Sequence, residues 1–300
     1  MKVNKARIRA KQKKLFAATF TTFFTLFIAA SLLWVYYSPD QTENPPISPS
    51  SEPRAVIVDQ LSLTYPNQTF VQTATNMLKN AGYAVDYIPG ENVTVNYYRN
   101  LPAYNYKIVI LRVHAAISLE MRAISFFTSE TYSESKYTAD QLSFYLGKAI
   151  FINQTTNDPG YFAITANFVK NAMKGNFNNT TVIMMGCYGL EYPGMANAFI
   201  EKGAHAYIGW NGSVSADHTD ETTINLLKQL ILEKQPIGQA IEITMKENGP
   251  DPIENSTLTY YPNEAGEQKI QYAGATTNPA YNELINMGFI SLNKASPNPS

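Results

Sequence analysis

Residues 15–37 run for 23 positions without a charged side chain, directly behind a segment that carries Lys2, Lys5, Arg7, Arg9, Lys11, Lys13 and Lys14 and no acid. At about 1.5 Å of rise per residue, roughly 20 apolar positions cross the hydrocarbon of a bilayer as a helix. The basic flank stays on the cytoplasmic side. The expectation is therefore one N-terminal transmembrane helix, in the cell membrane as a single pass, with whatever folds after residue 37 held outside the cytoplasm. Trp34, Tyr36 and Tyr37 close the run as an interfacial aromatic group does. A cleaved secretory signal is the competing reading. Ala29-Ala30-Ser31 offers a cleavage site, but the apolar run continues beyond it to Tyr37.

Residues 38–54 hold five prolines and no apolar periodicity, so they are expected to form an extended spacer. The predicted organisation is a basic cytoplasmic flank (1–14), the span (15–37), the spacer (38–54), one α/β domain (55–248) and a C-terminal extension (249–300) of edge strands and a polar tail. The first fourteen residues carry +7, so the remaining 286 carry −8 within a chain of net charge −1. The basic residues thus belong to the membrane flank, and nucleic-acid binding is not expected of the domain. Seven Asn-x-Ser/Thr triplets, at Asn67, Asn92, Asn153, Asn178, Asn179, Asn211 and Asn255, fit a glycosylated surface protein. Cys187 is the one cysteine, which excludes an intrachain disulfide and a Cys-cluster metal site.

Apolar periodicity then alternates between strand and helix. Strands are predicted at 55–59, 83–88, 107–113, 180–186 and 206–210. Helices are predicted at 69–81, 93–101, 161–174, 194–202, 216–233 and 237–247. Residues 123–152 are less regular, with a hairpin over 124–136 and a short strand at 148–152. Edge strands are expected at 258–261 and 269–272. Strands alternating with helices give a mainly parallel sheet, with function at the carboxyl ends of its strands.

Two chemistry-bearing residues fall at such ends. His114 follows the strand in ILRVHAA, and Cys187 follows the strand in VIMMGCYGL. A thiolate nucleophile needs a neighbouring base to form it, so this juxtaposition makes a Cys–His dyad. Gly186 and Gly189 allow a tight turn that leaves the Cys187 N–H open to an oxyanion. Structural roles compete with this reading: a lone Cys is commonly a small buried hydrophobe, and a His at a strand end is commonly a hydrogen-bonded one. His205 and His218 are alternative partners, the first at the opposite edge of the sheet and the second in a polar turn. No metal-ligand spacing links the three histidines, and no metal or cofactor is expected.

The segments KIVILRVH114, TVIMMGC187, GMANAFIEKG and GAHAYIGWNGSVS, in that order, resemble the caspase–gingipain type of cysteine peptidase. The group also contains clostripain, separase and the CHAT domains, and the last two segments are most similar to the gingipain and CHAT branch. The resemblance covers about two-thirds of the chain. It implies a three-layer caspase-like α/β sandwich and a peptide or protein substrate. His114 would be the general acid–base and Cys187 the nucleophile of a thioester acyl-enzyme. It implies an oxyanion held by the N–H groups of Cys187 and Ala115, where the family commonly has Gly after its His. Trp210, Asn211 and Asp217 would line a substrate pocket, with Asp220 and Glu221 as further acidic candidates and a solvated first helical turn as the competing account. The alternative, of a different class, is a catalytically silent surface module that binds a protein or polymer partner in the same cleft. A nucleotide-binding domain is disfavoured, because VDQLSLTYPN follows the first strand where a glycine-rich phosphate loop would stand.

Overall fold

Arg54–Asp59, Tyr106–Arg112 and Thr180–Met184 are runs of apolar and β-branched residues, and each becomes a strand buried on both faces. The structure is a computed structural model that describes residues 52–151 and 159–270. The chain divides into two units, residues 1–49 and 50–300. The basic flank, the apolar run, the spacer to residue 51, the sequon at Asn153 and residues 271–300 lie outside the described residues. Among the described residues no helix is long and apolar enough to cross a membrane.

In chain order the elements are β1 (Arg54–Asp59), α1 (Gln68–Asn80), β2 (Ala84–Pro89), α2 (Val95–Asn100), β3 (Tyr106–Arg112), β4 (Ala115–Ser118), β5 (Ala123–Thr131), α3 (Thr138–Leu142), β6 (Leu146–Ala149), β7 (Tyr161–Ile164), β8 (Thr180–Met184), α4 (Gly194–Glu201), β9 (Ala204–Trp210), α5 (Ala216–Leu227), α6 (Ile237–Asn248) and β10 (Leu258–Tyr261). The protein is α/β. Its main sheet has the order β10-β9-β8-β3-β1-β2, parallel except for β10, which runs antiparallel to β9. A second sheet, β4-β5-β7-β6, is antiparallel throughout.

Strand alternation divides the core in two. Ala55 and Ile57 of β1, with Ile108 and Ile110 of β3, pack with Phe70, Leu78, Leu226 and Ile241 from α1, α5 and α6. Val56, Val58, Val109 and Leu111 face the other way, against Tyr98 and Phe199 of α2 and α4 and Phe126 of the second sheet. Strand order reverses between β1 and β3, since the chain moves outward from β1 to β2 and then returns to build β3, β8 and β9 on the other side. Ligand sites of open α/β sheets lie outside the strand ends at such a reversal.

Three expectations needed correction. Residues 161–164 form β7, whereas a helix was predicted from 161. The apolar spacing serves either element, and pairing of Ala163 with both Phe127 and Gly147 decides it. The expected 124–136 hairpin is one strand, β5, whose hairpin partner is β4. Residues 269–270 are not strand, and 271–272 lie outside the described residues.

Arg112 ends β3 with its guanidinium fully enclosed. Its Nη1 donates to Asp59 Oδ1 at 2.7 Å, and its Nε and Nη2 donate to the two carboxylate oxygens of Asp220, each at 2.7 Å. Removing the cation leaves two buried carboxylates unpaired. Arg112→Met is therefore expected to cost about 3–5 kcal/mol in urea unfolding of the full chain. Lys79→Met, on the exposed side of α1, should stay within about 0.5 kcal/mol.

Candidate functional site

β3 and β8 run in parallel with Leu111 opposite Met184, so three residues further on His114 and Cys187 leave the sheet at the same level. The close approach demands glycine at 186, where a Cβ would sit 2.1 Å from the Val113 carbonyl oxygen; a Cβ on Gly189 would crowd Gly209 Cα at 3.2 Å. After Gly186 the chain turns through Tyr188, whose φ is 60°. Tyr188 N–H donates to Gly212 O and Leu190 N–H to Trp210 O, both at 2.7 Å, which ties the turn to the end of β9.

Cys187 is partly buried, and its Sγ is engaged by the 213–214 loop. Sγ lies 3.6 Å from Ser213 Oγ, donates to Val214 O at 3.5 Å and accepts from Val214 N–H at 3.5 Å. That loop is cross-linked in turn. Asp251 accepts from the N–H and hydroxyl of Ser215, Ser256 donates to Ser213 O, and three hydrogen bonds join Asn211 and Thr257. Burial would raise the Asp251 carboxyl, but the bonds from Ser215, Glu254 and Ile253 outweigh it and hold it at about 2.

His114 is fixed from three directions. Its N–H donates to Gln60 Oε1 at 3.0 Å, and its Nε2 lies 2.9 Å from Thr64 Oγ1. Its ring meets Phe151 edge-on at 4.7 Å between centroids, with Phe127 at 5.9 Å and Tyr65 at 6.0 Å. The Thr64 hydroxyl also lies 3.4 Å from Leu61 O; in the tautomer in which it donates there, its oxygen accepts from Nε2–H and the lone pair is on Nδ1. Nδ1 makes no hydrogen bond among the described residues. Burial, reinforced by the Arg112 charge, lowers the imidazole to about 4, so it is neutral at physiological pH.

Two backbone donors border the same spot. Phe127 N–H donates to His114 O, which makes Ala115 and Phe126 a non-hydrogen-bonded pair of the β4–β5 ladder. Ala115 N–H therefore points away from β5, on the edge strand of its sheet. Ala115 is in ordinary strand backbone, so alanine is under no strain there. Cys187 N–H finds no acceptor among the described residues.

Trp210 is fully buried, and its indole N–H donates to Thr219 Oγ1, so its ring belongs to the core. Asn211 is exposed with its amide committed to Thr257, and Asp217 and Glu221 are exposed on α5. Asp220 is buried against Arg112, and its Oδ2 also accepts from Asn67, which caps α1 by accepting from Phe70 N–H. His205 starts β9 and His218 stands beside Trp210; the Nε2 atoms of both are buried without partners among the described residues. Among the described residues no group of three His, Cys, Asp or Glu side chains is placed to hold a metal ion. Thr64, Gln60 and Arg112 were not singled out from sequence. For Arg112 a signal existed, because a charge inside the apolar run KIVILRV demands buried partners.

No protein-family model matches the chain, and no curated protein matches it in sequence.

The depressed His114 sets a pH dependence. The unfolded chain takes up the proton near the ordinary value of 6.5 and the folded chain only near 4. The unfolded state thus binds more protons in that window, and stability falls as pH falls from 6.5 to 4. The loss is about 2–3 kcal/mol for this partly buried group. His205, also lowered by burial, acts in the same direction. The contribution of His114 is the part of the slope that disappears in His114→Asn, read from urea midpoints across that range.

Proposed function

We propose that this chain is a membrane-anchored, extracytoplasmic cysteine endopeptidase of the caspase–gingipain type, acting through Cys187 and His114. The arrangement of α1, α5 and α6 on one face of the main sheet, with α2 and α4 on the other, fits the three-layer caspase-like fold. The anchor is the apolar run at 15–37. The observation that carries the reading is the company at one level of the sheet edge: a thiol, a neutral imidazole with Nδ1 open, and the unpaired N–H groups of Cys187 and Ala115.

In the proposed cycle the Cys187 side chain turns from Val214 toward His114. Apo sites commonly hold such bonds open until substrate arrives. The Sγ proton passes to Nδ1 as Sγ attacks the scissile carbonyl, forming the C–S bond and a tetrahedral oxyanion. The Cys187 and Ala115 N–H groups donate to that oxygen. As the intermediate collapses, the C–N bond breaks, and the Nδ1 proton goes to the leaving amine. Water, deprotonated by His114, then hydrolyses the thioester and regenerates the thiol. Thr64 acts through His114 as a positioning residue.

A second reading, a silent module binding a protein or polymer partner, is favoured by one observation: Sγ is bonded to Ser213 and Val214, and among the described residues no hydrogen bond joins it to His114. Incubation of the full chain with a peptide mixture, followed by mass spectrometry of new termini and of the acyl adduct on Cys187, separates the two. The peptidase reading expects cleavage that drops by about a thousandfold or more in Cys187→Ser and His114→Ala. Absence of cleavage and adduct, or cleavage indifferent to Cys187, would favour the silent module.

A further inference from the structure

His114 is walled by aromatic rings, and its role in the proposed cycle puts them beside the leaving half of the substrate. The imidazole must hand its proton to the leaving amine, so the substrate residue that follows the scissile bond lies against whatever packs around His114. The acyl half lies instead toward Cys187 and the two N–H donors. Around the imidazole stand Phe151 and Tyr65. Phe127 is buried and backs the wall, stacked on Phe151 at 5.0 Å with 17° between ring planes, and Tyr161 supports Phe151 at 5.6 Å.

Tyr65 is 55% exposed, yet its backbone is pinned. Its carbonyl accepts from Arg112 Nη2 at 2.8 Å, its N–H donates to Leu61 O, and its neighbour Thr64 holds the imidazole. An exposed ring on a fixed backbone loses little freedom when it is covered, and such rings supply binding area at low entropic cost. The surface offered beside His114 is apolar, and a charged side chain placed there would lose hydration without a partner.

Building on the peptidase reading, we propose that Tyr65 and Phe151 form a specificity subsite for a large apolar or aromatic side chain on the residue immediately after the cleaved bond. Phe, Tyr or Leu fits this position, and Asp, Glu and Gly do not.

The test uses the full chain and two substrate sets. In the first, peptides cleaved by the enzyme are resynthesised with the residue after the bond varied, and kcat/KM is measured for each. The expected result is a preference for Phe, Tyr or Leu over Gly and Asp of roughly 10–100-fold. Tyr65→Ser should bring the ratio close to one, and Tyr65→Phe should retain it. The second set is blocked peptide methyl esters, which place no side chain after the bond. Ester hydrolysis that depends on Cys187, together with peptide cleavage indifferent to the following residue, would overturn the subsite and leave the peptidase reading standing. A preference that persists unchanged in Tyr65→Ser would also overturn it. Failure to process either set would overturn the peptidase reading and the subsite with it.

Discussion

Arg112 reaches the carboxyl edge of the sheet with every guanidinium nitrogen bonded inside the protein: Nη1 to Asp59, Nε and Nη2 to Asp220, and Nη2 also to the Tyr65 carbonyl. A planar cation with donors in a fixed fork suits two carboxylates approaching from different directions, and a lysine would not reproduce it. Each partner belongs to a different part of the fold: Asp59 ends β1, Asp220 lies in α5, and Tyr65 lies in the loop between β1 and α1. The cluster also draws in Tyr87, which donates to Asp59, and Asn67, which caps α1. One buried charge therefore sets where the 60–66 loop lies, and that loop carries Gln60 and Thr64, the two side chains that fix His114.

The electrical state of the site follows from the same burial. Burial and the Arg112 charge both oppose a proton on His114, so the imidazole is held neutral. On the other side of the turn, Cys187 rests against a loop stapled to residues 251–257 through Asp251, Ser256 and Thr257. The base is thus fixed on the β1–β3 side of the strand ends, and the thiol is held on the β9 side. Gly186 lets the two approach by giving the Val113 carbonyl the space a side chain would fill.

Most of the main sheet was legible in the sequence because β1, β3 and β8 are buried on both faces and so appear as apolar runs. The second sheet, three of whose four strands are four residues long, was less so. The identity of these strands depends on pairing between residues some forty positions apart, as when Phe126 meets Ile164, and apolar spacing over four residues does not carry that information. Placing His114 and Cys187 at one edge needed only strand order and direction. Trp210 could have been assigned to the core from parity, since Ala206, Ile208 and Trp210 alternate toward one face. Thr64 had no local signal in LTYPNQ; only its place after β1, at the reversal of strand order, marks it.

The central claim is that His114 acts on Cys187 despite the absence of a hydrogen bond between them in the resting structure. The most direct measurement is the rate at which iodoacetamide alkylates Cys187 in the full chain between pH 4 and 9, compared with His114→Ala. The account predicts alkylation near neutral pH that slows by roughly tenfold or more without the histidine, with an inflection near pH 4 that the variant lacks. Superimposable rate profiles for the two proteins would contradict it.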